Sequence, residues 1–169
     1  MGNSNNFHSY RGHFFSNVGR TVLIHVLMTL LGALGIVFAS LFQSFNPIAI
    51  LFLLSVVGYA VFGYLILRVL PKNNFLSVFV LALLLAVIST VLIVVSTPSD
   101  TAVGLLSFVN FPAYMVTTML IFPLEITNSA HAEYLAFLLA AFVPSPLIYL
   151  GLRLRMRQER RRTSLSQSE

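Results

Sequence analysis

Four runs of apolar residues, each long enough to reach across a bilayer, constrain this chain more than anything else in it. They occupy about 21–43, 48–70, 75–97 and 131–152, and the charged residues they contain, Arg68 and Glu133, sit at their margins. At 1.5 Å of rise per residue, a helix of this length reaches about 33 Å, slightly more than a hydrocarbon core. A soluble domain carries about a quarter of its residues as Asp, Glu, Lys and Arg. Here the charged share is 9%, the apolar share 57% and the mean hydropathy +0.89, so lipid is the expected solvent. The expected fold is all-α: a polytopic membrane helical bundle of four transmembrane helices.

The breaks between the runs carry the usual punctuation. Gln43, Ser44, Asn46 and Pro47 separate the first two, with Asn46 placed to cap and Pro47 suited to a first helical position. Pro71, Lys72, Asn73 and Asn74 separate the second and third. Connections this short force neighbouring helices to run antiparallel. The third and fourth runs are joined by 98–127, apolar but divided by Pro112 and Pro123 into pieces of about 11 residues, each about 17 Å long and too short to cross. Thr97, Pro98, Ser99 and Asp100 resemble a capping box at its start. The segment is expected to form a short apolar helical pair on the outer face, lying at the interface or re-entrant.

Charge decides between four crossings and five. With four, and both termini cytoplasmic, all ten Lys and Arg fall inside: Arg11 and Arg20 in a polar segment 1–20, Arg68 and Lys72 in the second connection, and six in a basic tail 153–169. Asp100, Glu125 and Glu133 fall outside. A fifth crossing exports either the four basic residues of the amino-terminal half or the arginine tail, which the positive-inside rule disfavours. The expected localisation is a plasma membrane of prokaryotic type. Gly2 fails as a myristoylation start because position 6 is Asn. The polar lead and the continuation of the first run past Ala39 favour a retained helix over a cleaved signal.

Ionisable groups within spans are costly and mark function when present. His25 is the one well inside a run, about 7.5 Å beyond Arg20. It reads either as a proton-linked imidazole or, as the favoured alternative, as a neutral side chain bonded to Thr21 or Thr29. On the outer side, Glu125, His131 and Glu133, with Asp100 across the loop, could form a small polar or metal site, but the spacing matches no metal motif. The favoured reading makes Glu133 and His131 first-turn residues of the last helix. No cofactor is expected. Haem needs a second imidazole at matching depth, thiol chemistry needs cysteine and the chain has none, and an aspartyl dyad needs two Asp where there is one.

Small residues mark close approach of helices: Gly32, Gly35 and Ala39 in the first run, Gly58 and Gly63 in the second, Ala136 and Ala140 in the fourth. Pro144 and Pro146 remove two backbone donors within one turn and predict a kink in the last helix. Beyond it, Arg153, Arg155, Arg157, Arg160, Arg161 and Arg162 read as a membrane-surface anchor, each worth about 1 kcal/mol near an anionic leaflet. The Ser-rich residues that follow are expected to be disordered. No aromatic residue interleaves the arginines, so nucleic acid is not an expected partner.

Three functions remain. The expected one is a non-catalytic accessory, regulatory or immunity-type component acting through helix contacts with a larger membrane protein or a second copy. The alternative is a small transporter or channel subunit lined by Ser55, Tyr59, Tyr64, Ser89, Thr90 and Ser96. The third, an enzyme acting on lipid headgroups, requires convergence of the outer acidic cluster.

Overall fold

The computed structural model describes residues 4–41, 47–70, 74–95 and 138–166, and within them it is all-helical. Four helices are long and apolar enough to cross a membrane, the architecture of a multi-pass membrane protein. Three are α1 (Ser4–Leu41), α2 (Pro47–Ile66) and α3 (Asn74–Val95); the fourth span, Leu138–Arg162, is a helical stub at 138–142 continued past Val143 by α4 (Pro144–Ser166). The expected outer-face pair at 98–127 lies outside the described residues, as do Asp100, Glu125, His131 and Glu133.

Around the bundle the order is α1, α2, α4, α3: α1 packs on α2 and α3, and α4 packs on the same two. Cross-helix contacts fix the directions. Asn17, early in α1, bonds the backbone of Arg68 just past the end of α2, and Asn74, at the start of α3, reaches Met156 in α4. The start of α1, the α2–α3 connection and the second half of α4 therefore share one end of the bundle. Arg20, Arg68 and the arginines of α4 all lie there.

Two helices continue past that end. α1 is already helical at Ser4, so the polar lead extends the spanning helix instead of forming a separate segment. α4 runs on to Ser166, into the serine-rich stretch expected to be disordered, whose last residues, 167–169, lie outside the described residues. Propagating an existing helix adds one hydrogen bond per residue fixed, without a new nucleation cost. In α4, an Arg155–Glu159 ion pair one turn apart and a bond from Ser164 Oγ to the carbonyl of Arg161 support the extension.

α2 is shorter than its apolar run. The helix stops at Ile66, and 67–70 are non-helical because Pro71 disfavours helical geometry in the residue before it. The kink predicted from Pro144 and Pro146 is present as a full break. The chain bends at Val143, whose N–H bonds the carbonyl of Ala140 three residues back, and α4 starts afresh with Pro144 in its first turn.

The polarity of the bundle is inverted relative to a soluble one. Leu53 and Val94 are 62% and 70% exposed, whereas Asn17, Thr21, Ser77, Ser89 and Ser145 are all at 0%. In water such an outer surface is an aggregation liability. In lipid it is the expected arrangement, with polar groups turned to the bundle interior.

The tightest packing lies between α2 and α4. A Cβ placed on Gly63 would meet the backbone of Ile148, and one on Gly151 would meet the backbone of Ala60 and Tyr64. Here glycine is required by close approach of two main chains. Gly35 and Gly58 instead face side chains, Leu51 and Met28. α3 joins α4 through Phe75, edge-on to Tyr149 at 5.2 Å, and through Ser145 Oγ, which donates to the carbonyl of Val78 at 3.1 Å; Phe79 meets Phe142 of the preceding stub at 6.2 Å.

Candidate functional site

The buried polar residues described in α1 fall one turn apart at 17, 21, 25 and 29, so they lie on one face. Two of them stay within their own helix: Thr21 Oγ1 donates to the carbonyl of Asn17 at 2.8 Å, and Thr29 Oγ1 to that of His25 at 3.0 Å. Such bonds back to the residue one turn earlier satisfy a buried hydroxyl without a partner from another helix.

His25 does reach another helix. Its Nδ1 lies 2.8 Å from the Tyr59 hydroxyl, with the rings nearly parallel and 6.1 Å apart. The sequence-based candidates for its hydroxyl partner were Thr21 and Thr29, and the threonine hydroxyls instead bond main-chain carbonyls. The tautomer of His25 sets which atom of the pair donates. Tyr59 is fully buried, so the imidazole meets the hydrogen-bonding requirement of a phenol that no solvent reaches. Around it the interior is apolar: Ile24, Met28, Leu81, Ile148 and Leu152 belong to the same buried cluster. Among the described residues no three His, Asp or Glu gather as metal ligands. The pair is an interior bond between α1 and α2.

The most elaborate polar arrangement sits at the end of α2. A helix leaves its last four carbonyls without intrahelical donors, and these carry the negative end of the dipole. Arg20 Nη1 from α1 donates to the carbonyl of Ile66 at 3.0 Å. Arg155 Nη1 from α4 donates to that of Leu67 at 2.7 Å, with longer approaches to Tyr64 and Leu65 at 3.4 and 3.5 Å. Asn17 uses both ends of its amide: Nδ2 donates to the carbonyl of Arg68 at 2.8 Å, and Oδ1 accepts from its N–H at 3.1 Å. Asn74 treats Leu70 the same way, at 2.7 Å in each direction. The Tyr64 hydroxyl donates to Gln158 Oε1 on α4. Thus side chains from α1, α3 and α4 converge on one non-helical stretch of backbone and supply the partners that its lost helical geometry removed.

No family model matches this chain, and neither does any curated protein or any solved structure. What the site does has to be argued from its own chemistry.

Of the described residues in the expected transport lining, Ser89 is buried. Ser55 Oγ donates to the carbonyl of Leu51 in its own helix, Thr90 is exposed and donates to Ala86, Tyr59 is taken by His25, and Tyr64 lies at the basic end. Ser96 lies outside the described residues. A groove of about 440 Å³ does open between α1 and α2, but its walls are apolar, among them Met28, Leu31, Leu54, Val57 and Phe62. The arginines of the tail split by environment: Arg155 is half-buried against α2, while Arg153, Arg157, Arg160, Arg161 and Arg162 are exposed.

Sequence reasoning missed Asn17, Asn74 and Gly151. The first two look like ordinary boundary polars, and only their meeting with backbone 51 and 4 residues away gives them a role. Gly151 had a legible signal: a glycine in an apolar stretch immediately before the arginines, three residues after Ile148.

Proposed function

We propose that this chain is a non-catalytic accessory component of a plasma membrane, with its basic end in the cytoplasm, acting through helix contacts with a larger membrane protein or a second copy of itself. The observation that carries the reading is the contrast between interior and surface. His25, Tyr59, Thr21, Thr29, Ser55 and Ser145 all bond within the bundle itself. The outer face of α1 and α2, by contrast, is an apolar groove with Gly58 in its wall, a shape that side chains of another helix can enter. The clustering of arginines at one end supports the inward orientation of that end, since basic residues are retained on the cytoplasmic side.

Site-specific photocrosslinking in native membranes tests this. A photoreactive residue at Leu54 or Val57 is expected to yield a discrete protein adduct whose mass distinguishes a second copy from a larger partner. The same residue at Val87 or Val91, exposed on α3, is expected to react with lipid alone. Lipid adducts alone at all four positions would count against the reading.

A further inference from the structure

The collar of arginine around the end of α2 has more positive charge than the described residues around it neutralise. Arg20 and Arg155 are anchored on adjacent carbonyls, those of Ile66 and Leu67, approaching from the two helices that flank α2. Arg68 follows on the same stretch with an exposed side chain. Against these stand the negative end of one helix dipole, about half a charge, and Glu159, which pairs with Arg155 Nε at 3.0 Å. Glu159 is the one carboxylate among the described residues.

Depth makes this collar different from the rest of the tail. Arg20, Arg68 and Arg155 gather at the end of α2, whereas Arg160 to Arg162 lie about 7.5 to 10.5 Å beyond Arg155 along α4. A guanidinium carries five N–H donors in a planar fork, matched to the paired oxygens of a phosphate. Arg20 and Arg155 are already held in place by their carbonyls, so little side-chain freedom remains to be lost on binding. Below the collar, the membrane-facing side of α2 offers exposed Leu65 and Val61, a surface for acyl chains.

The geometry points to a site for the phosphodiester headgroup of an anionic phospholipid at the end of α2, formed by Arg20, Arg68 and Arg155. Basic pockets between spanning helices on the inner side are where such headgroups bind. The site exists only when α1, α2 and α4 are assembled, so the lipid stabilises the folded bundle by mass action. This inference rests on lipid being the medium of the bundle and on its basic end facing an anionic leaflet. It does not depend on any protein partner.

The test uses the full chain purified in mild detergent, with lipid retention read by native mass spectrometry and stability read by thermal unfolding. Phosphatidylglycerol is expected to stay bound and to raise the unfolding temperature, while phosphatidylcholine and soluble glycerol phosphate do neither. Arg68→Gln removes an exposed guanidinium that holds no helix in place, so the lipid-free unfolding temperature stays at the wild-type value. Affinity for phosphatidylglycerol falls about fivefold, the effect of one surface arginine. Replacing Arg160, Arg161 and Arg162 together by Gln is expected to leave retention unchanged. The inference is overturned by equal retention of the two lipids, by wild-type affinity in Arg68→Gln, by loss of binding in the triple variant alone, or by glycerol phosphate reproducing the stabilisation. None of these outcomes alters the crosslinking result at Leu54 and Val57, so the two readings fail separately.

Discussion

Gly151→Leu is expected to force α2 and α4 apart and to destabilise the bundle by about 3 kcal/mol or more. The reason is the identity of the neighbour. A side chain at 151 is directed at the carbonyl of Ala60 and the amide of Tyr64, main-chain atoms held in a helix that cannot rotate out of the way. Gly63 presents the reciprocal contact with the backbone of Ile148, so the two glycines define one crossing. Gly63→Leu should match Gly151→Leu, and the double variant should cost less than the sum, because once the helices have parted the second side chain meets no further obstacle. Two controls separate crowding from the general cost of changing a glycine. Gly58→Ala meets only the flexible end of Met28 and should cost less than about 1 kcal/mol. Gly12→Ala meets nothing within 4 Å and should be neutral or stabilising by a few tenths of a kcal/mol. Reversible unfolding in mixed micelles gives the ranking. Wild-type stability in Gly151→Leu would mean that α2 and α4 do not touch.

Asn17→Leu is the second large effect, expected at about 2 to 4 kcal/mol. Asn17 is fully buried, and its amide is the partner of both the N–H and the carbonyl of Arg68. Leucine is close in size but leaves two main-chain groups without a bond, each costing about 1 to 3 kcal/mol when water cannot replace the partner. Since 67–70 have no helical bonds of their own, losing this anchor also loosens the collar, and protease sensitivity after Leu67 should rise together with the loss of stability. Thr21→Val, one turn along the same face, provides the contrast. Its hydroxyl bonds only the carbonyl of Asn17 within α1, so its removal should cost less than about 1 kcal/mol. If Asn17→Leu and Thr21→Val unfold alike, the amide does not hold the end of α2.

These two positions also show where sequence reading stops. The spans, their order, the short connections and the break at Pro144 follow from local features: apolar length, turn residues and missing backbone donors. α2 ending short of its apolar run is local too, because Pro71 acts on its predecessor. The interior bonds are not local. His25 meets Tyr59 across 34 residues and Arg155 meets Leu67 across 88, and neither spacing says which helix faces will turn toward each other. The i to i+4 series of Asn17, Thr21, His25 and Thr29 was visible as a pattern, and burial of that face could have been expected from it. Its partners could not. The tail arginines were legible as a surface anchor, but one of them, Arg155, is anchored on a helix end, a distinction that charge counting does not make. The outer candidates Glu125, His131 and Glu133 lie outside the described residues, so the structure gives them no role.

The central claim is that lipid surrounds this bundle and that both chain ends emerge with the arginines on the cytoplasmic side. The chain has no cysteine, so single thiols introduced by Ser16→Cys, Ser44→Cys and Ser164→Cys report position without background. With a membrane-impermeant maleimide on intact cells, positions 16 and 164 are expected to remain unlabelled until the membrane is permeabilised, and position 44 to react at once. Labelling of position 164 in intact cells, or opposite behaviour at 16 and 164, would contradict the account.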